Sequence, residues 1–351
     1  MIISRTPFRI SFFGGGTDYP VWYREHDGAV LATTIDKYCY ISCRYLPPFF
    51  EHKSRIVYSK IENVKSNDEI EHQAVRGVLQ YMKIDCGVEI HHDGDLPARA
   101  GLGSSSAFTV GLLNAIAALK GSMLTKMELT KEAIKIEQEI LEENVGSQDQ
   151  VMAAHGGFCR VDFSRNHDIN VTPIILNRDR LTEFQSHLLL YFTGFSRTAS
   201  EIAKEQIERT KHRKSELKEM CQMVDEGISI LGRENNLDQF GLLLHEAWKL
   251  KRSLTPKISS QRIDEIYEGA REAGATGGKL LGAGGGGFML VFAKPENHSK
   301  IKERLSGLLR VPFGFETMGS QIIFYQPGQH NFDNELTLPL VSAGNRSQKE
   351  E

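Results

Sequence analysis

The stretch LPARAGLGSSSAF, residues 96–108, decides how the rest of the chain is read. It joins a strand-like segment, Gly87 to His91, to an apolar run with helical spacing, Phe108 to Leu119, which stops at Gly121 as a helix C-terminus should. Gly101 and Gly103 let main-chain amides turn inward, and Ser104, Ser105 and Ser106 are suited to capping the helix. A glycine-rich loop that opens a helix is an anion site, because the free N–H groups and the helix dipole both favour phosphate. It is neither of the familiar nucleotide loops. GxxxxGK[ST] lacks its lysine here, and GxGxxG fails at its last position, Ser106. A well-capped core helix would use the same residues, although three serines after two glycines exceed what a cap requires.

Two further glycine clusters flank this loop. RTPFRISFFGGGTDYP (5–20) is an alternating strand that runs into three glycines, Gly14 to Gly16, and then Thr17 and Asp18. Such a turn lets a ligand approach the main chain closely, with Asp18 placed to accept from ligand hydroxyls and Arg9 supplying positive charge. A plain turn in which Asp18 satisfies its own amides accounts for the same residues. The third cluster, GGKLLGAGGGGFML (277–290), holds a formal GxGxxG at Gly282, Gly284 and Gly287. A dinucleotide loop should open a helix, whereas this one leads into the strand-like FMLVF, so the motif lacks its required context. Between the second and third clusters, IEQEILEENVGSQDQVMAAHGG (136–157) places Glu137 in an acid-rich helix spanning Glu128 to Glu143. Gly146 ends it, and Ser147 is expected to cap a short helix with Asp149 in its first turn.

Composition bounds the remaining choices. The 351 residues carry 42 Lys+Arg against 45 Asp+Glu, a net charge of -3, so bulk electrostatics select no polyanionic partner. With 40% hydrophobic and 25% charged residues the chain is globular, and its length predicts two domains at roughly 150 residues each. The 32 glycines exceed the roughly 25 that average usage would give. No run of about 18 apolar residues and no secretory signal pattern occurs, so a cytoplasmic setting without membrane contact is the expectation. Five cysteines without a CxxC read as reduced thiols. The basic run KHRK (211–214) is interleaved with Glu205, Glu208, Glu216 and Glu219, the pattern of a solvated helix face rather than a nucleic-acid surface. The pattern resets near 183. A strand at 187–194 is followed by a long helical stretch, Ala199 to Gly232, then helices near Leu237 to Leu250 and Ser260 to Ala273, and strands at 288–292 and 321–325. The polar residues 339–351 read as a mobile tail.

Taken in order, the three glycine clusters and the acid segment resemble the three signatures of the GHMP kinase superfamily, the small-molecule kinases that include galactokinase, homoserine kinase and mevalonate kinase. The most specific element is PxxxGLGSSSA, Pro97 to Ala107. The resemblance covers about residues 3–330. It implies an α+β fold: an N-terminal domain like domain 2 of ribosomal protein S5 (1–183) that binds ATP, and a ferredoxin-like C-terminal domain (184–338). By resemblance, Gly101, Leu102, Gly103, Ser104, Ser105 and Ser106 would wrap the ATP phosphates. Ser105 or Ser106 with Glu137 would hold Mg²⁺, with Glu139 as the competing assignment. Asp149 would be the catalytic base and Arg9 the basic residue at the transferred phosphate. Gly15, Gly16, Thr17 and Asp18 would meet the substrate, over which Gly284 and Gly285 close.

The galactokinase stretch GEHTDY stands here as GGGTDY, so two glycines replace a Glu and a His near the sugar. GGGTD, QDQ, FTGFSR (192–197) and the WKLK segment (248–251) look most like the bacterial D-glycero-D-manno-heptose 7-phosphate 1-kinases, with the kinase half of fucokinase as kin. A sugar or sugar-phosphate substrate follows, phosphorylated at its anomeric hydroxyl. A phosphate already on the sugar would need a basic receptor, for which Arg197 ahead of a helix start is the first candidate. A silent sugar sensor on the same scaffold is the rival of another class, disfavoured by the presence of Arg9, Ser105, Ser106, Glu137 and Asp149. Whether the chain is a monomer or a homodimer stays open.

Overall fold

The computed structural model describes residues 1–98, 100–194, 199–232 and 236–327. The chain opens with β1 (Ile2–Phe13), α1 (Pro20–His26) and β2 (Gly28–Tyr45), then β3 (Ser54–Val57), β4 (Ile61–Val64), α2 (Gln73–Tyr81) and β5 (Val88–Gly94). After the loop at 96–103 come α3 (Ser104–Leu119), α4 (Lys126–Lys135), α5 (Gln148–His155), β6 (Phe158–Phe163), β7 (Ile169–Pro173) and α6 (Arg178–Ser186). The second part holds β8 (Leu188–Gly194), α7 (Ala199–Arg209), α8 (Lys214–Gly232), α9 (Asp238–Leu254), α10 (Gln261–Glu272), β9 (Gly277–Leu280), β10 (Gly287–Phe292), α11 (His298–Arg304) and β11 (Leu309–Arg310). Two last strands, β12 (Phe315–Glu316) and β13 (Gln321–Tyr325), complete the described chain.

The first sheet has nine strands built around β2, an 18-residue strand long enough to serve several partners. Its N-terminal part pairs with β6, its C-terminal part with β5, and β1 runs antiparallel along most of its length. Residues 6–13 of β1 and 28–35 of β2 are buried throughout, so alternation gives way to continuous apolar sequence where both sheet faces are covered. One cover is α3, with 13 of its 16 residues buried, which explains why it is apolar all round rather than amphipathic. It ends as the sequence predicts. Gly121 N donates to Ala118 O and Ser122 N to Ala117 O, the paired bonds of a Schellman turn.

The second sheet is antiparallel, in the order β11-β8-β10-β9. Counted from β8 this is 4-1-3-2, with helices between the first and second and between the third and fourth strands, the ferredoxin-like βαββαβ arrangement. The two sheets share one aromatic core. Phe12 of β1 lies 5.5–5.7 Å from the rings of Phe158, Phe184 and Phe240, and Phe240 and Phe184 pack in turn on Phe292 of β10.

Three local readings change. The expected helix from Glu128 to Glu143 stops at Lys135 and continues as a π-helical turn, Ile136–Ile140. The expected helix from Ala199 to Gly232 is broken at Thr210–His212 by a 3₁₀ turn. The 321–325 strand, read with the second part of the chain, pairs with β1, and β12 pairs with β2, so the chain returns to the first sheet after β11. Local hydrophobic pattern marks a strand but does not name its partner.

Candidate active site

The loop before α3 and the loop after β9 touch backbone to backbone. Gly101 (φ +85°) and Gly282 (φ +75°) face each other, and a Cβ on either would lie 2.4 Å from main-chain atoms of the opposite loop. Only glycine permits that approach in that conformation. Phe288 N donates to Ala100 O, fastening the two loops beside the contact. Gly284 and Gly285 lie against another segment: Gly285 N donates to Ile258 O, and a Cβ on Gly284 would lie 2.8 Å from the Ile258 main chain.

At the head of α3 the N-cap position is Gly103, so the serines are not caps. They fill the first turn, ahead of the first intrahelical bond from Ala107 N to Gly103 O. That leaves the helix N-terminus open to an anion on its dipole axis. Ser105 is exposed, whereas Ser106 is buried and its hydroxyl donates to Glu137 Oε2 at 2.8 Å.

Arg9 and Asp149 form the centre of the site. Arg9 Nε and Nη2 each donate to one oxygen of Asp149 at 2.8 Å, and Nη1 donates to Gly101 O at 2.7 Å. Arg9, 4% exposed, thus ties β1, the phosphate-type loop and the first turn of α5 together through its guanidinium. Gly103 lies alongside, its Cβ position 3.2 Å from Arg9 and 3.3 Å from Asp149.

Asp18 lies close by. Its Oδ1 accepts from Gly16 N at 2.8 Å, its Oδ2 from Gln148 N at 3.4 Å, and its main-chain oxygen from Ser147 N. Burial pushes its carboxyl above the usual range, and the neighbouring charge of Asp149 adds to that. Thr17 is fully buried with its hydroxyl donating to Gly14 O and Ala29 O, so the structure places it inside the turn, as part of its framework. Ser147 occupies the N-cap of α5 without capping it, its hydroxyl instead bonding Tyr23 and Gln138. Beside Gly15, whose Cβ position is 3.7 Å from Ser11 Oγ and 3.9 Å from Gln148 Nε2, two buried oxygens have no partner: Ser11 Oγ and Gln148 Oε1.

Glu137 is wholly buried in the π-helical turn. Its Oε2 accepts from Ser106 and from Gln150, while Oε1 has no partner. Burial pushes its pKa up to about 7, with the charge of Glu143 second. A buried, half-satisfied carboxylate next to a serine hydroxyl suits a hard divalent cation that takes most of its remaining ligands from phosphate and water. Glu139 is exposed and faces a different cleft, with Tyr19 and Glu143. Among the described residues no group of three or more His, Cys, Asp and Glu is arranged to hold a metal by itself. Arg197 lies outside the described residues.

Two residues inside the quoted WKLK and third glycine stretches were given no individual role by the sequence reading. Lys251 of α9 and Lys279 of β9 are buried beside the Arg9, Asp18 and Asp149 group, and both feel its charges.

Residues 70–157 match the family described as GHMP kinases N terminal domain, and residues 228–310 match GHMP kinases C terminal. A D-glycero-alpha-D-manno-heptose 7-phosphate kinase of Campylobacter jejuni is 30% identical over 308 residues, covering 84% of this chain and 90% of that protein. The chain belongs to the GHMP kinases. A crystal structure of a D-glycero-D-manno-heptose 1-phosphate kinase from Bacteriodes thetaiotaomicron superimposes with a TM-score of 0.73 at 24% identity, covering 92% of this chain and 98% of that one. The bifunctional fucokinase/GDP-fucose pyrophosphorylase of Arabidopsis thaliana is 25% identical over 332 residues, 85% of this chain but 30% of that protein. As a GHMP kinase the protein is a small-molecule kinase with ATP as phosphoryl donor. Among the described residues no helix is long and apolar enough to cross a membrane.

Proposed function

We propose that this GHMP kinase phosphorylates a sugar at its anomeric hydroxyl, with D-glycero-D-manno-heptose 7-phosphate as the acceptor and the 1,7-bisphosphate as product. The observation that carries the reading is the bidentate Arg9–Asp149 pair, set between the open N-terminus of α3 and the bare Gly15 with its unpartnered Ser11 and Gln148 oxygens. Phosphoryl transfer asks for in-line positioning and neutralisation of charge more than for covalent chemistry. The first-turn amides of α3 receive the donor phosphates, Arg9 lies at the transferred group, and Asp149 accepts the attacking hydroxyl. Both Asp149 oxygens already accept from Arg9, which fixes the orientation of the carboxylate. A hemiacetal hydroxyl is more acidic than an ordinary alcohol, so orientation by Asp149 suffices.

Glu137 with Ser106 or Ser105 would hold Mg²⁺, which neutralises donor phosphate charge when bound. Support for a phosphorylated sugar comes from the name of the Campylobacter jejuni relative and from Arg209 and Arg213, which line a small cleft with Gly16 and Tyr19. These two arginines join Arg197 as candidates for the distal phosphate. The likeness to the Arabidopsis thaliana fucokinase favours a second reading, an unphosphorylated sugar. A panel of heptose 7-phosphate, mannose, fucose, galactose and mevalonate, assayed for ADP release with phosphorus NMR of the product, separates them. Turnover of heptose 7-phosphate with a new anomeric phosphate supports the proposal. Turnover of fucose alone replaces the acceptor, and turnover of mevalonate alone overturns the sugar reading.

A further inference from the structure

Lys251 and Lys279 are 8% and 3% exposed, which is rare for lysine unless a carboxylate accompanies it. Here their hydrogen-bond partners are neutral carbonyls. Lys251 Nζ donates to Leu280 O at 3.2 Å and to Gly282 O, and Lys279 Nζ donates to Phe12 O at 2.8 Å. The Lys251 acceptors belong to the third glycine loop at the point where Gly282 abuts Gly101. The charged groups that face Lys251 come from four elements: Arg9 of β1, Asp18 of the turn after β1, Asp149 of α5 and Lys279 of β9.

A neutral hydroxyl or amide donor would satisfy two carbonyls at lower desolvation cost, so a lysine buried at this point needs a reason beyond anchoring. We propose that Lys251 is a positioning residue of the kinase, pinning the Leu280 and Gly282 carbonyls so that the third glycine loop stays against the phosphate loop, and supplying positive charge behind Arg9 and Asp149 when the donor phosphates are bound. The inference rests on the kinase reading and is independent of which acceptor is used. Burial, with Arg9 beside it, lowers the Lys251 pKa to about 7. At pH 8 the amine is therefore largely neutral in the free enzyme. A polyanion arriving at α3 favours the ammonium form, so nucleotide binding draws a proton onto Lys251.

Calorimetric titration of MgADP into the intact enzyme at pH 8, in buffers of different ionisation enthalpy, counts that proton without any acceptor. The wild type is expected to take up about half a proton or more, and Lys251→Met to lose most of this uptake. On the sugar turned over by the wild type, Lys251→Met should lower kcat by roughly 10- to 100-fold with the ATP KM within about fivefold. Lys251→Arg, which stays charged, should recover part of kcat and show no uptake. Unchanged uptake with kcat within about threefold in Lys251→Met overturns the proposal. So does wild-type uptake in Lys251→Arg, which places the proton elsewhere and decides the matter even where the Met variant does not fold.

Discussion

Replacing Asp149 by Asn tests the centre of the site, because it removes one charge while keeping shape and one acceptor oxygen. Arg9 then keeps its bond to Gly101 O and one bond to residue 149, while its other Asp149-facing N–H meets the amide NH₂. Losing one charge-assisted hydrogen bond beside a buried guanidinium costs about 1.5–3 kcal/mol, against about 3–5 kcal/mol for losing the partner altogether. At roughly 1.4 °C per kcal/mol for a chain of this size, Tm should fall by about 2–4 °C. The effect on turnover is separate. If Asp149 handles the acceptor hydroxyl, kcat should fall by about 10²- to 10⁴-fold, while the ATP KM stays within about threefold. Removing the Asp149 charge also relieves Asp18, whose raised pKa should drop, moving any acid limb of residual activity to lower pH. Coupled ADP-release kinetics from pH 5 to 9, with thermal melts of the same samples, read all three quantities. A variant that melts lower yet keeps kcat within tenfold would show that Asp149 serves only as the counter-ion of Arg9.

Two further outcomes follow from other parts of the structure. Gly101→Ala places a Cβ 2.4 Å from Leu281 O at φ +85°. The left-handed conformation alone costs about 1–2 kcal/mol, and relieving the overlap parts the two loops, so Tm should fall and the ATP KM rise together; no change in either would mean the loops are not apposed. His155, whose Nε2 is buried without a partner, has its pKa lowered to about 4 by burial and the charge of Lys126. A depressed histidine contributes stability above its unfolded pKa of about 6.5 that is lost as pH falls through the folded value, here on the order of 2 kcal/mol after discounting for partial exposure. The decline in Tm between pH 6.5 and 4 should be shallower in His155→Gln than in the wild type, and parallel slopes would refute the assignment.

What the sequence made legible is what local physics controls. The start and stop of α3 follow from glycine and serine chemistry at its ends, and its uniform apolarity announces a buried helix. Arg9, Gly103 and Asp149 meet as the motif order suggested, although Ser104 to Ser106 prove to be first-turn residues rather than caps. Glu137 and Glu139 differ by two positions, and spacing does not separate them. A π-helical turn does, by rotating Glu137 inward to Ser106 and leaving Glu139 exposed. Lys251 stands in the quoted WKLK segment, but its burial depends on carbonyls about 30 residues away in the chain that no local window contains. The signal that was present is Lys279, a lone charge inside the apolar stretch of β9. The pairing of β13 with β1 spans almost the whole chain, and register of that kind is set by tertiary packing.

The three glycines at 14–16 also separate into two kinds. Gly14 has φ +80° and a Cβ there would sit 1.9 Å from Ala29 O, while Gly16 has φ +104° and faces Leu217 at 3.1 Å. Backbone geometry accounts for both. Gly15 has no such conformation, and nothing lies within 3.7 Å of its Cβ position, so the chain would accept a side chain there. Its bareness is therefore not demanded by the fold, and the galactokinase motif carries a Glu at this point. The space left open is bordered by Ser11 and Gln148, whose buried oxygens lack partners, and buried oxygens of that kind are costly unless a ligand supplies donors. Under the proposed function, the space beside Gly15 is where an acceptor hydroxyl would meet Ser11 and Gln148.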